Sequence, residues 1–124
     1  MADELQKMKR ELAKWYKKAE KLNGEVSTLK AAYKDLKEIK EQAEKLKRRV
    51  SKTVTDGTGN WRGAHLMTFQ QNGGSVVNNL DAMVHSLDAI IDDINWKINQ
   101  KIDEITVIGG ITRDLVTKIQ NWVN

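Results

Sequence analysis

In the first half of the chain, apolar residues return every seven positions. Leu5, Leu12, Ala19, Val26 and Tyr33 form one row, and Met8, Trp15, Leu22, Leu29 and Leu36 form the other. Alternating steps of three and four predict one long α-helix over residues 3–54, with a narrow seam like that of a coiled coil. After Leu36 the apolar pattern moves to Ile39 and resumes through Ala43, Leu46, Val50 and Val54. An extra step of three predicts a locally overwound seam. Gly24 costs helix propensity of about 1 kcal/mol, but it lies off the seam, so the helix is expected to continue.

Residues 55–63 read as a turn, because Asp56-Gly57 and Gly59-Asn60 are strong turn pairs. A second helix is expected over residues 64–108, opened by Leu66 and Phe69. Gly73-Gly74-Ser75 predicts a kink or short break, since Ser75 could cap a fresh start. From Val76 onward the stripe runs Leu80, Met83, Leu87, Ile90, Ile94, Ile98, Ile102, Ile105 and Ile108, widened by Val84 and Ile91. Gly109-Gly110 is expected to end or hinge this helix. Ile111, Leu115, Ile119 and Trp122, with Val116 and Val123 beside them, predict a last helix over residues 111–124. The fold expected is all-α: a single-domain, long antiparallel two-helix hairpin with a short C-terminal helical extension.

Composition removes several alternatives. The 124 residues contain no Pro and no Cys. Disulfides, thiolate zinc sites and a Cys nucleophile are therefore excluded. The first residues are polar and do not read as a signal peptide. The longest apolar runs are two or three residues, so no span of a bilayer and no stable membrane insertion are expected. The net charge of +4 conceals an asymmetry. Residues 1–54 carry 16 Lys and Arg against 9 Asp and Glu, while residues 55–124 carry 5 against 8. Packed halves of opposite charge attract and steer charged partners. Lys45-Leu-Lys-Arg-Arg49 with Lys52 is the strongest basic stretch. Acidic residues interleave along most of that helix, so it reads as a solvated face, and no nucleic acid is expected as a partner.

Catalytic chemistry is hard to find. His65 follows the turn. His85 belongs to a row of Asp81, His85, Asp88 and Asp92 at helical spacing. Such a row resembles half a metal site in a bundle. At 100° per residue it falls outside the apolar stripe, so it reads as a solvated face, and no metal is expected. No Ser-His-Asp signature, phosphate loop or dinucleotide fingerprint is present, so neither an enzyme nor a cofactor is expected.

Binding residues are easier to nominate. Leu12, Trp15, Leu22, Val26, Leu29, Tyr33 and Leu36 make the helix-one seam. Leu80, Val84, Leu87, Ile91, Ile94, Ile98, Ile102 and Ile105 make the face expected to bind a partner. In a two-helix hairpin each helix covers one side of its neighbour, which leaves part of this wide stripe wet. A large exposed apolar patch usually marks an interaction site. Trp96 projects opposite the stripe, and it and Trp122 are candidate exposed anchors, since Trp is enriched among interface hot spots.

A long helix, a turn carrying Trp61-Arg62-Gly63, then a second antiparallel helix opened by Leu66 and Phe69 resembles the WXG family handled by bacterial type VII secretion. The resemblance covers essentially the whole chain. Trp61 is expected to plug the hairpin end and Gly63 to let backbones approach closely. Several features depart from the short members. Helix one is longer and the chain continues past Gly110. The export signature Tyr-x-x-x-Asp/Glu does not follow the second helix, and Tyr16-x-x-x-Glu20 has its letters only near the start of helix one. These departures are more similar to the small helical partners encoded with LXG-type toxins of Gram-positive bacteria. That resemblance implies a non-enzymatic targeting partner that binds the toxin's helical N-terminal domain. It implies a hetero-oligomer, with a second small helical partner and the secretion machinery as further contacts. It also implies residence in the cytoplasm before export and secretion with the toxin. The rival readings are a self-associating WXG-type secreted homodimer, and a coiled-coil scaffold binding nucleic acid or anionic membrane through the basic first helix.

Overall fold

The structure, a computed structural model, describes residues 2–56 and 63–123. It is an all-α hairpin of two helices, α1 (Ala2–Asp56) and α2 (Ala64–Val123). The motif residues Trp61 and Arg62 lie outside the described residues. Gly63 has φ of 76°, a left-handed conformation that glycine adopts without a Cβ clash. Its carbonyl accepts the amide of Met67 at 3.2 Å, which is the first bond of α2.

Helix α2 differs from the expectation at two places. It is continuous through Gly73-Gly74-Ser75, and no second helix starts at Ser75. It is also continuous through Gly109-Gly110, so residues 111–123 are its last turns and not a separate extension. Glycine keeps its backbone N–H and can hold the helical ladder. The propensity cost of about 1 kcal/mol per glycine is small beside the burial of flanking apolar side chains. Ile108 and Leu115, on either side of the second pair, are both buried.

The chain divides into two compact units. The terminal unit joins residues 1–32 to 94–124, and the central unit spans residues 33–93. Each pairs a stretch of α1 with a stretch of α2. In the central unit Lys40 pairs with Asp88 and Lys47 with Asp81, while Gly73 lies against Val54. Partner numbers fall as residue numbers rise, so the pairing is antiparallel. In the terminal unit Glu25 meets Lys101, and Trp15 shares a cleft with Ile108 and Ile111.

The terminal-unit seam follows the expected rows. Leu22 and Val26 are buried, and Leu5, Met8, Leu12, Trp15, Ala19 and Leu29 are half-buried. In the central unit the overwound step is absent. Tyr33, Leu36, Lys40, Ala43, Lys47, Val50 and Val54 are sheltered in an unbroken heptad pattern, with Glu44 and Ser51 half-buried beside it. Ile39 and Leu46 are exposed beside it. The physical reason lies on the facing helix: Asp88 and Asp81 accept the ammonium heads of Lys40 and Lys47. The aliphatic stems of the two lysines can then occupy the seam. Regular pairing is kept by placing two half-buried lysines on the seam and leaving two aliphatic residues on the flank.

Candidate interaction surface

The expected partner face divides once the helices pair. Leu87, Ile91 and Ile98 are buried against α1 in their own units. Leu80, Val84, Ile94 and Ile105 are half-buried on the same seam, and Ile102 is exposed. Most of this face therefore holds the hairpin together and is not open to another molecule. The reason is register: the steps 80, 84, 87, 91, 94 and 98 match the heptad of α1, so these side chains meet their own neighbour first.

Residues one step off the seam are the open ones. On each helix, the residue just before one seam row and the residue just after the other fall on opposite flanks. In an antiparallel pair, like flanks meet. The first flank of the central unit carries Ile39 and Leu46 from α1, and Phe69, Val76, Met83 and Ile90 from α2. Leu46 and Ile90 are each 47 % exposed, and Phe69 is half-buried. Toward the turn, this flank opens into a groove of about 350 Å³ walled by Val50, Thr53, Val54, Phe69 and Val76. Gly73 forms part of its floor, since a Cβ there would overlap Val54 Cγ2.

The other flank of the central unit is ionic. Asp81 and Asp88 lie there and bind Lys47 and Lys40, and Glu44 lies 3.9 Å from Lys40. The Asp88 carboxylate holds the Lys40 ammonium above the ordinary lysine range, mainly by hydrogen bonding. Asp81 and Asp88 had read as a solvated face. They are half-buried partners of seam lysines. His85 Nδ1 lies 3.2 Å from the Asp81 carbonyl oxygen one turn back. Among the described residues, no group of three His, Asp or Glu is placed to hold a metal ion.

In the terminal unit the corresponding flank is mostly charged, with Glu11, Lys18 and Glu25 on α1 and Lys97, Glu104 and Lys118 on α2, and half-buried Ile111 as its apolar member. Lys101 occupies a seam position between Ile98 and Ile105 and donates a hydrogen bond to Glu25 at 2.6 Å. That bond holds the Glu25 carboxyl below the ordinary glutamate range. The Lys18 ammonium lies 5.3 Å from the Trp15 ring centroid, a cation–π distance that extends the charged flank over the aromatic seam. Trp96 is 58 % exposed on the outer side of α2, and Trp122 is 41 % exposed. Trp122 borders a cleft shared with Met8 and Lys118.

The apolar flank of the central unit was only partly legible beforehand. Met83 and Ile90 belonged to the expected stripe, but Ile39 and Leu46 were assigned to the seam. Their seven-residue spacing, each one place before a lysine, was the available signal. No helix among the described residues is long and apolar enough to cross a membrane. Comparison with protein-family models, with curated proteins and with solved structures finds no match.

Proposed function

We propose that this chain is a non-enzymatic binding partner for a longer helical protein. Its nearest analogy is the targeting partner of an LXG-type toxin exported by type VII secretion. The observation that carries the reading is the apolar flank of the central unit. Ile39, Leu46, Val76, Met83 and Ile90 are all exposed there, while the opposite flank carries the Lys40–Asp88 and Lys47–Asp81 ion pairs and, of the large apolar residues, exposed Met67 near the turn. A two-helix layer shelters one side of each helix. Two more helices laid on the open flank would complete a four-helix core. The turn motif Trp61-Arg62-Gly63 and the hairpin layout support the type VII analogy.

The test is co-expression with the helical N-terminal domain of a long protein encoded beside this chain. A complex of fixed stoichiometry that survives size exclusion, together with loss of that protein's export when this chain is deleted, is the expected result. Export unchanged by the deletion would remove the targeting role.

A further inference from the structure

Between Ala64 and Ile91, α2 carries only two ionisable groups besides its histidines, Asp81 and Asp88. Both carboxylates bind seam lysines on the ionic flank. Beside the apolar flank, the outer positions of α2 are Asn72, Asn79 and Ser86, all exposed and uncharged. The matching positions of α1 are Gln42 and Arg49, and Arg49 also lines the groove. Arg49 belongs to residues 45–52, which hold five Lys and Arg and no Asp or Glu. Lys45 and Lys52 are exposed next to Arg49 on the outer side of α1, Lys45 also lying 3.7 Å from Glu41, whereas Arg48 falls beside the ionic flank and Lys47 reaches Asp81. At the far end of the unit, the flank is bordered by Asp35 and Asp93. The open apolar strip thus runs between one basic edge and one uncharged edge near the turn.

These two edges specify an occupant. We infer that the groove and flank of the central unit receive an amphipathic partner helix with an apolar stripe, an acidic edge set against Arg49 and its basic neighbours, and an uncharged edge set against Asn72, Asn79 and Ser86. The inference rests on the reading of the chain as a binding partner and names the chemistry of what it binds. A carboxylate on the α1 side gains charge-assisted hydrogen bonds from the Arg49 guanidinium. An ionised group on the α2 side meets only the uncharged Asn72, Asn79 and Ser86 among the described edge residues and gains no compensating ion pair from them. The stripe covers Leu46, Val76, Met83 and Ile90, which removes apolar surface from water.

The test uses the full chain and two synthetic helices of about four heptads each. One has Leu and Ala on its stripe, Glu along one edge, and Gln and Ser along the other. Its twin has Lys in place of Glu. Fluorescence anisotropy is expected to give the acid-edged helix an affinity about tenfold or more above that of its twin. Arg49→Glu is expected to reverse the order, and Met83→Glu to abolish binding of both. Circular dichroism of each variant verifies that the fold is kept, as both altered side chains are exposed. Equal affinities, an order unmoved by Arg49→Glu, binding undiminished by Met83→Glu, or no binding of either helix would each overturn the inference. So would light scattering that finds the isolated chain dimeric and Met83→Glu monomeric, because the flank would then belong to a second copy. The outcome is separable from the type VII reading. A preference for the acid-edged helix with no effect of the chain on toxin export leaves the surface standing and removes the targeting role. A toxin complex that ignores Met83→Glu does the reverse.

Discussion

The Lys40 ammonium crosses the central unit to the Asp88 carboxylate from a seam position where the heptad would ordinarily place an aliphatic side chain. Lys47 and Asp81 repeat the relationship one heptad on. A polar residue at such a position tends to fix register at a cost in stability. Lys40→Leu with Asp88→Leu is therefore expected to raise the melting temperature above that of the native chain. Asp88→Leu alone is expected to lower it, since it leaves Lys40 on the seam without its main partner. Thermal melts of the native chain and the two variants, followed by circular dichroism, check the order. If all three melted together, the Lys40–Asp88 pair would carry no stability cost at its seam position.

The pH dependence carries opposite signs at the two ends of the scale. Glu25 titrates below its ordinary range because Lys101 donates to it. Its contribution is complete at neutral pH and is lost as the pH falls through its depressed value. Lys40 titrates above its ordinary range because of Asp88. Its contribution is complete below the ordinary lysine range and is lost as the pH rises through its elevated value. Urea unfolding across pH is expected to show stability falling at both extremes. Glu25→Gln should flatten only the acid limb, and a limb unchanged by that substitution would count against the Lys101 contact.

The glycines of α2 are not equivalent. A Cβ at Gly73 would overlap Val54, and β-branched Val54 has little freedom to move aside. Gly73→Ala is expected to destabilise by about 1–3 kcal/mol, as overpacking does. Gly109 and Gly110 have open space where a Cβ would go. Ala at either is expected to stabilise by about 0.5–1 kcal/mol, through helix propensity. Denaturant midpoints of the three single variants decide it. A stabilising Gly73→Ala would mean that the close approach to Val54 is wrong.

Buried and open residues of α2 should also part company when a charge is introduced. Ile91 is buried at 6 % exposure, so Ile91→Glu is expected to unfold the hairpin and to lose binding only as a consequence. Met83→Glu is expected to leave the helical signal unchanged and the unfolding free energy within about 0.5 kcal/mol of the parent, as surface changes do, and to lose binding directly.

Much of the fold could be read along the chain. The rows of Leu12, Trp15, Leu22, Val26 and Leu29 gave helix α1 and its seam, because an apolar heptad has one physical meaning in a proline-free stretch. What was not legible came from the facing helix. Nothing local to Lys40 or Lys47 marks them as seam residues. Their role depends on Asp88 and Asp81, over thirty positions away in sequence. Ile39 and Leu46 therefore looked like core and proved to be flank. The same cause moved Leu87, Ile91 and Ile98 from the expected partner face into the hairpin. Periodicity names a helix face, and only the partner's register says which side of that face stays wet. The two glycine pairs do not break α2, for a different reason. Propensity marks them as weak points, whereas packing on both sides decides whether a helix survives them.

The central claim is that the Met83 flank is bare in the isolated chain and covered in a complex. Hydroxyl-radical footprinting reads it most directly, with Met83 oxidation measured in the chain alone and with the acid-edged helix bound. Met83 is expected to react readily alone, alongside exposed Met67, and to be strongly protected in the complex. Equal oxidation of Met83 in both states would contradict the claim.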